Sequence, residues 1–331
     1  MTIKDVAATA RVSVATVSRV LNGSDRVDAE LAARVHEAVD RLSYRRSGLA
    51  RSLRSQRARV VGLIISDIRN PFFTDVVRGI EDRVGAEGYS LVLCNSDEEL
   101  QKEADYLDLF VEERMAGAIV SPASSRETRL DALTARGTPV VVIDREAARE
   151  AVDTVLVDNV RGGEIATRHL AENGYRRIAC ITGPPRTSTG SERLAGWQHA
   201  AQEAGLPVDE SLIRRADFKE AGGFEAAADL LAGPDRPDAF FVGNNLMTVG
   251  ALAALREAGL EVPGDVGVVG FDDMPWAQLL QPALTTVAQP TYELGREAAA
   301  LLEGRIGGND APPERIVLEP TLQVRDSARR R

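Results

Sequence analysis

The sequence predicts an α/β protein in which an N-terminal three-helix domain precedes two doubly wound subdomains with parallel sheets. Two observations support this: basic charge is concentrated near the N-terminus, and from Val60 onward short apolar runs alternate with amphipathic segments of helical length. The length of 331 residues also exceeds one domain, at about 150 residues each. The predicted divisions are residues 1–44, a linker at 45–58, a first subdomain from 59–160 and 288–325, and a second from 161–287.

The composition argues against several classes of protein. Apolar residues make up 44% of the chain and charged residues 27%, which suits a chain with buried cores. No apolar run approaches the roughly 18 residues that a membrane span needs, and the first residues carry charge where a signal peptide is apolar. We therefore expect a cytoplasmic protein. Two cysteines and three scattered histidines offer neither a disulfide framework nor a zinc spacing, so no metal or cofactor is expected.

The charge is distributed unevenly along the chain. Residues 1–60 contain 12 Lys and Arg against 6 Asp and Glu, whereas the whole chain has a formal net charge of −10. A small basic module on an acidic body is typical of proteins that bind nucleic acid. Charge alone leaves a solvated basic tail as the alternative.

The pattern of residues 1–44 favours three short helices over a tail. Thr2, with Asp5 three residues later, can cap the first helix, and Ser13 and Asp28 can cap the second and third. Apolar side chains recur at helical spacing within each segment, namely Ile3, Val6, Ala7 and Ala10, then Val17, Val20 and Leu21, then Leu31, Val35, Ala38 and Leu42. The first two helices, joined by a tight turn, form a helix-turn-helix whose second helix is free to enter a major groove.

Two stretches carry a family resemblance. Thr2-Ile3-Lys4-Asp5-Val6-Ala7 and Val12-Ser13-x-Ala15-Thr16-Val17-Ser18-Arg19-Val20-Leu21-Asn22-Gly23 resemble the DNA-binding end of LacI/GalR-family transcriptional regulators. Arg11 departs from the family pattern, which has Gly or Asn in this turn. If the position is left-handed, an arginine there costs on the order of 1 kcal/mol.

The resemblance implies a set of DNA contacts. Thr16, Ser18 and Asn22 would contact phosphates or brace the helix. Val14, Ala15 and Arg19 would face base edges, with Arg19 suited to a guanine and the two small apolar residues suited only to thymine methyl groups. Further expected contacts are Thr2, Ser13 and Tyr44.

Residues 44–57 include five arginines and, taken alone, make a flexible cationic linker. Ala50-Arg51-Ser52-Leu53 resembles the family's hinge helix, in which paired leucines of a dimer wedge into the minor groove and kink the duplex. The resemblance thus implies that Ala50, Arg51 and Leu53 contact DNA, with Leu53 as the wedge. Arg46 replaces the usual proline, so we expect a less rigid start to the hinge.

The body of the chain reads as alternating strands and helices. The apolar runs that predict strands are Val60 to Ser66, Ser90 to Asn95, Gly117 to Ser121, Pro139 to Asp144, Arg177 to Thr182, Ala239 to Val242, Val266 to Gly270 and Thr285 to Ala288. No internal repeat is detectable by eye. The resemblance implies a body like that of periplasmic sugar-binding proteins, with a ligand between two lobes.

Ligands of parallel α/β sheets bind at the carboxyl ends of strands, so the residues after each apolar run are the candidates. They comprise carboxylates, guanidiniums, amides and aromatic rings, which together suit a polyhydroxylated ring. The candidates, similar to the ligand set of ribose-binding proteins and their repressor relatives, are Asn70, Phe72, Phe73, Asp144, Arg145, Arg193, Phe218, Asn244, Asp272 and Gln289. The resemblance implies a pentose effector, with ribose first.

Other effectors and other functions stay open at this point. A pentose is favoured over a hexose because adjacent Phe72 and Phe73 narrow the pocket, whereas a purine could stack between Phe73 and Phe218. The polar loop from Pro184 to Thr189 is compatible with a purine effector. A protein partner is a further alternative effector. From another class, a cytoplasmic sugar-processing enzyme is weakened because the sequence lacks a phosphate-binding loop, a dinucleotide fingerprint and a nucleophile elbow.

The prediction is therefore a sequence-specific DNA-binding regulator, a repressor rather than an enzyme, whose operator affinity a small sugar controls. One helix-turn-helix buries too little surface for operator affinity. We therefore expect a homodimer. Its two helix-turn-helix units would read a pseudo-palindromic operator whose half-sites lie about one helical turn apart.

Overall fold

The computed structural model describes residues 2–21, 27–42, 44, 59–147 and 151–330. The chain divides into two compact units, Met1–Ala58 and Arg59–Arg331. Within the described ranges, no helix is both long enough and apolar enough to cross a membrane.

In its described residues, the first unit contains three helices, α1 (Ile3–Ala10), α2 (Val14–Leu21) and α3 (Ala29–Arg41). All three predicted caps are confirmed. The amide of Asp5 donates to Thr2 Oγ1, the amide of Thr16 to Ser13 Oγ, and the amide of Glu30 to Asp28 Oδ1, at 3.4, 3.0 and 2.9 Å. These bonds satisfy helix amides that have no partner within the helix.

The helices enclose a small core formed by Val6, Ala7, Ala10, Val17, Val20, Val35 and Ala38. Leu31 lies outside this cluster, contrary to the prediction, and Ala32 and Val39 pack against it instead. Leu31 lies in the first turn of α3, and helical spacing alone does not determine whether the end of a helix reaches the core.

The turn between α1 and α2 depends on two arginines. Arg11 is left-handed, with φ of 53°, a conformation that non-glycine residues adopt at a cost. Arg34 of α3 donates through Nη2 to the carbonyl oxygens of Ala10 and Arg11, at 2.6 and 3.2 Å. The carbonyl groups at the end of α1 are therefore satisfied by a side chain from α3.

The second unit contains two sheets. Its strands in chain order are β1 (Val60–Ile65), β2 (Ser90–Asn95), β3 (Gly117–Val120), β4 (Val140–Ile143), β5 (Asp153–Val157), β6 (Ile178–Thr182), β7 (Ile213–Arg215), β8 (Ala239–Val242), β9 (Gly267–Phe271), β10 (Thr285–Ala288), β11 (Arg315–Leu318) and β12 (Thr321–Gln323). The first sheet has the order β11-β5-β4-β3-β1-β2 and the second β12-β10-β9-β8-β6-β7. All pairings are parallel except that of β10 with β12. The two sheets share one strand order, so the lobes are structural repeats that the sequence conceals.

Helices cover the faces of both sheets. They are α4 (Phe72–Ala86), α5 (Leu100–Glu112), α6 (Asp131–Thr134), α7 (Asn159–Glu172), α8 (Ser188–Glu203), α9 (Glu220–Ala232), α10 (Asn245–Glu257) and α11 (Thr291–Ile306). Sheet 1 packs with α4 and α11 around Val61, Leu63 and Ile80, while sheet 2 builds the larger core around Trp197, Phe240 and Phe241.

The chain crosses between the lobes after β5, β10 and β11. One part of the predicted division is wrong, because β12 pairs with β10 in the second sheet, whereas the prediction assigned residues 288–325 to the first subdomain. The chain leaves sheet 1 at Leu318, and Pro320 separates the two short strands. The strands β11 and β12 are short, and their side chains alternate between exposed and half-buried. Local sequence therefore does not determine which sheet each strand joins, and the pairing with other strands does.

Three helix pairs approach closely through reciprocal glycines. A Cβ on Gly295 of α11 would lie 2.1 Å from the carbonyl oxygen of Val76 in α4, and one on Gly79 of α4 would lie 2.3 Å from that of Tyr292. Gly163 with Gly196, and Gly223 with Gly250, do the same for α7 with α8 and α9 with α10. Each lobe therefore places backbone directly against backbone where its helices cross.

We expect Gly295→Ala to lower the free energy of unfolding by about 1–3 kcal/mol, because the added methyl group forces the two backbones apart. Gly85→Ala in α4 is the control, because a Cβ there meets nothing within 4 Å. The control should raise stability by roughly 0.5–1 kcal/mol through helix propensity. Urea unfolding of both variants tests the pair, and equal effects would contradict the close-packing argument.

Candidate DNA-binding and effector-binding sites

The exposed face of α2 is the candidate DNA surface. Val14 is 41% exposed, and Ala15 and Arg19 are also exposed, while Val17 and Val20 face the core. Thr2 and Ser13 lie exposed at the starts of α1 and α2, and Thr16 and Ser18 are half-buried. The three residues predicted to face base edges therefore share the solvent side of the helix.

Of the remaining predicted DNA contacts, the structure describes Tyr44. Tyr44 is half-buried and packs against the three-helix core. Asn22, Ala50, Arg51 and Leu53 lie outside the described residues, as does the turn at 23–25.

All ten predicted effector residues line one cavity between the two lobes. Asn70, Phe72, Phe73, Asp144 and Arg145 come from the first lobe, Arg193, Phe218, Asn244 and Asp272 from the second, and Gln289 from the crossing after β10. Inspection of strand ends therefore predicted one site from residues as far apart in the chain as Asn70 and Gln289.

The first-lobe wall depends on a buried ion pair. Arg145 Nη1 and Nη2 donate to the two oxygens of Glu98 at 2.7 and 2.6 Å, and Nη1 also donates to Pro122 O at 3.0 Å. Asp144 accepts from Ser121 Oγ at 3.1 Å. Burial opposes the charge on Arg145, but Glu98 outweighs it and holds the pKa of this guanidinium above its ordinary value.

The second-lobe wall is built in the same way. Arg193 donates through Nε to Asn159 Oδ1 at 2.8 Å, and its guanidinium lies 3.7 Å from the ring centroid of Phe271. Asp272 accepts from the amide of Asn245 at 3.3 Å and from the side chain of Gln289. These contacts hold the cation Arg193 and the anion Asp272 in the second wall, as Arg145, Glu98 and Asp144 are held in the first.

Burial dominates the electrostatics of the cavity. It raises the pKa of Asp144 and of Asp272, because a charged carboxylate loses hydration inside the cleft. It lowers the pKa of Arg193 for the same reason. Ligand hydroxyl groups that donate to these carboxylates would replace the lost hydration.

Aromatic rings supply the apolar surface. Phe72 and Phe73 pack edge to face, with centroids 4.9 Å apart and planes at 82°. Phe218 lies under the guanidinium of Arg145, whose Cζ is 5.3 Å from the ring centroid. A Cβ on Gly183 would overlap the ring of Phe218, so this glycine is what lets the ring lie against the backbone after β6.

Polar contacts join the lobes around the cavity. Asn245 Nδ2 donates to Asn70 Oδ1 at 2.8 Å. On another side, the amide of Ser188 donates to Ser125 Oγ and that of Ser125 to Arg186 O, at 3.0 and 2.9 Å. Lys219 of the second lobe also forms an ion pair with Asp97 of the first at 3.6 Å, so the lobes meet through uncharged hydrogen bonds and one partly exposed ion pair.

Backbone strain is concentrated at the cavity. Asp144, Phe218 and Asp272 have φ of 66°, 64° and 73°, and Glu98 has φ of 66°. Non-glycine residues adopt this left-handed region at a cost, which is commonly tolerated where function fixes a side chain.

Sequence reasoning missed six residues that line the cavity, namely Ser66, Asp67, Glu98, Thr189, Asp217 and Leu246. Glu98 follows β2, so applying the strand-end rule to that strand would have found it. Thr189 lies in the first turn of α8, is buried, and has a hydroxyl group without a hydrogen-bond partner. That hydroxyl is available to a ligand.

The family model for the periplasmic binding protein-like domain matches residues 167–328, and that for bacterial regulatory proteins of the lacI family matches residues 2–47. The ribose operon repressor of Escherichia coli strain K12 is 37% identical over 328 residues, covering 99% of each chain. This chain belongs to the LacI family. The repressor PurR of Edwardsiella ictaluri is 38% identical over 98% of this LacI-family chain and 96% of its own.

Solved structures of LacI-family proteins are similar along the chain. The lac repressor dimer bound to operator and the anti-inducer ONPF has a TM-score of 0.88 at 25% identity and covers 99% of both chains. A LacI-family regulator from Enterococcus faecium with bound ribose has a TM-score of 0.73 at 30% identity, over 81% of this chain and 98% of its own. The protein is thus a DNA-binding repressor controlled by a small-molecule effector, and its named relatives are repressors rather than enzymes.

We expect Glu98→Ala to lower the free energy of unfolding by about 3–5 kcal/mol, because it removes the bidentate partner of the buried guanidinium of Arg145 and leaves only one other ion pair, the longer contact of Nε with Asp144 Oδ2 at 3.5 Å. In this pair the side chains are 4% and 9% exposed. Glu210→Ala is the matched control, since the pair of Arg215 with Glu210 is 38% and 73% exposed and should contribute only about 0–1 kcal/mol. Urea unfolding measures both, and similar losses would contradict the assigned role of burial.

Proposed function

We propose that the effector of this LacI-family repressor is a pentose, with D-ribose first, held between the two lobes. The observation that carries the proposal is the convergence of ten strand-end side chains on one cavity. The ribose operon repressor, 37% identical, and the ribose-bound Enterococcus regulator, 30% identical, support the same class of ligand.

The chemistry of the walls suits a small polyol. Asp144 and Asp272 offer carboxylate oxygens to pairs of adjacent hydroxyl groups, and Thr189 offers a further hydroxyl. The rings of Phe72, Phe73 and Phe218 provide apolar surface for the C–H face of a sugar ring.

A purine is the second candidate, because PurR relatives are as similar in sequence as the ribose repressors. The arrangement of the rings favours the sugar. Phe73 packs edge to face on Phe72, and Phe218 has a guanidinium over its ring, so these contacts already occupy ring surface on which a base would stack.

The protein is proposed to act as a homodimer in the cytoplasm, where its DNA target lies. Exposed apolar side chains on both lobes support a dimer: Leu279 is 76% exposed, and Val92 and Leu93 of edge strand β2 are 38% exposed each. The lac repressor neighbour is a dimer bound to operator. Two copies related by a twofold axis place two α2 helices in successive major grooves.

The effector is proposed to act by favouring closure of the lobes, because its contacts come from both walls. A ligand shifts such an equilibrium only through its difference in affinity for the two states. The coupling to operator affinity is expected to be about 1–3 kcal/mol and reciprocal.

We expect Asp272→Asn to abolish the response of operator affinity to ribose, because the amide replaces the carboxylate that would bind two hydroxyl groups. Without ribose, the operator affinity of the variant should stay within about twofold of that of the wild-type protein, since this residue faces the cleft. Fluorescence anisotropy with an operator duplex, with and without ribose, measures both. Asp105→Asn, an exposed position on α5, is the control, and a full ribose response in Asp272→Asn would reject the assigned site.

We expect Arg19→Ala to weaken operator binding by about 1–3 kcal/mol and to relax the preference at one base pair. Arg19→Lys keeps the charge but loses the planar fork, so it should retain non-specific affinity while losing that preference. Binding to operator and to random duplex at one salt concentration separates the two effects. Equal losses on both duplexes for Arg19→Ala would contradict base recognition.

A further inference from the structure

The lining of the cavity is predominantly acidic. Five carboxylates, Asp67, Glu98, Asp144, Asp217 and Asp272, contribute to the lining, against two guanidiniums, those of Arg145 and Arg193. A ligand with a negative charge would therefore enter a space in which fixed negative groups outnumber positive ones among the described residues.

Both guanidiniums are largely engaged by the protein. Arg145 uses both Nη atoms on Glu98 and Nη1 also on Pro122 O. Arg193 donates to Asn159 Oδ1 and to the carbonyl oxygen of Gly243, and its planar face lies on Phe271. Phosphate recognition by arginine usually takes a free fork of parallel N–H donors, and neither guanidinium has its full fork free.

Helix N-termini are the other common means of binding phosphate, and each of those at the cavity already donates at least one amide to a protein side chain. The first amide of α4 donates to Asn70 Oδ1 at 2.9 Å, an amide of α8 to Thr187 Oγ1 at 3.3 Å, and one of α10 to Asn244 Oδ1 at 2.9 Å. The amide of Asn245, at the start of α10, donates to the carboxylate of Asp272 at 3.3 Å. A protein anion thus lies where a ligand anion would bind.

The cations nearest the outer part of the cavity are paired as well. Arg69 Nη2 lies 3.1 Å from Asp67 Oδ2, and Lys219 Nζ lies 3.6 Å from Asp97 Oδ1. The exposed carboxylate of Asp217 lines the cavity, and its Oδ1 accepts from the amide of Lys219 at 2.9 Å. The outer part therefore adds no unpaired positive charge from these two side chains.

We propose that this cavity selects an uncharged sugar and rejects its phosphorylated form, with Asp67 and Asp217 as specificity-determining residues beside Asp144 and Asp272. The inference rests on the proposed pentose effector and narrows it. A repressor with this selectivity responds to the free sugar, before the phosphoryl transfer that consumes it.

Isothermal titration calorimetry on the full-length protein with D-ribose and D-ribose 5-phosphate tests the selectivity. The phosphate should bind at least about 100-fold more weakly, because like charges at short range in a protein repel strongly. Glucose 6-phosphate and inorganic phosphate extend the test to anions that do not depend on the pentose assignment. Tight binding of either one would overturn the inference.

Charge-neutralising variants separate electrostatic rejection from steric rejection. Asp67→Asn releases Arg69 and removes one negative charge at constant shape, and Asp217→Asn removes another. In the double variant, the ratio of the ribose affinity to the ribose 5-phosphate affinity should fall by about tenfold or more. The fall should be larger at low salt. Asp105→Asn, which removes a surface carboxylate away from the cavity, should leave the ratio unchanged.

The outcomes distinguish the proposed pentose effector from the proposed rejection of its phosphorylated form. The inference is supported when ribose binds, ribose 5-phosphate is rejected, and the ratio of their affinities falls in the double variant. Equal or tighter binding of ribose 5-phosphate overturns it while leaving a pentose effector in place. A ratio that does not change in the double variant overturns the role of the carboxylates, and failure of both pentoses to bind rejects the proposed effector and the inference with it.

Discussion

The structure of the effector cleft depends on compensating charge that is buried. Asp144 and Asp272 lie in opposite walls with raised pKa values, because burial removes their hydration. Arg145 is stabilised by Glu98, and Arg193 by an amide, a carbonyl and an aromatic face. An unpaired charge in such a place would cost several kcal/mol, about the size of the whole stability of a domain. The polar site is therefore tolerated only because each lobe supplies the partners for its own charges.

That compensation requires the walls to be placed accurately, which the repeated topology provides. Both sheets have the same strand order, so the carboxyl ends of their strands present loops to the same cleft. The glycine pairs in α4 with α11 and in α7 with α8 let helices cross at backbone contact, which fixes their start positions. Arg193 illustrates the effect: α8 packs on α7 through Gly196 and Gly163, and this contact sets the guanidinium beside Asn159.

Local sequence signals predicted the elements and most of the site, because caps and strand ends are local properties. Thr2, Ser13 and Asp28 cap their helices as expected, and eight of the ten candidates follow strands whose apolar runs are evident, whereas Phe218 follows the short β7 and Arg193 lies within α8. What sequence could not supply depends on pairing across the chain. β12 joins the second sheet through an antiparallel partner, Glu98 matters because Arg145 lies beside it, and Gly183 matters because the ring of Phe218 lies against it. The shared strand order of the lobes is likewise absent from any repeat of residues.

The kind of contact between the lobes determines how a small ligand can control them. Asn70 meets Asn245, and Ser125 meets Ser188, so uncharged hydrogen bonds join the lobes beside one partly exposed ion pair, that of Lys219 with Asp97. Such bonds contribute about 0.5–1.5 kcal/mol each when exchanged with water. The difference between open and closed arrangements is then small enough for the binding energy of a small-molecule effector to shift. A cleft joined by buried interlobe ion pairs would be held too firmly for that control. The buried pair of Arg145 with Glu98 lies within one wall, and the interlobe pair of Lys219 with Asp97 is partly exposed, so neither locks the lobes together.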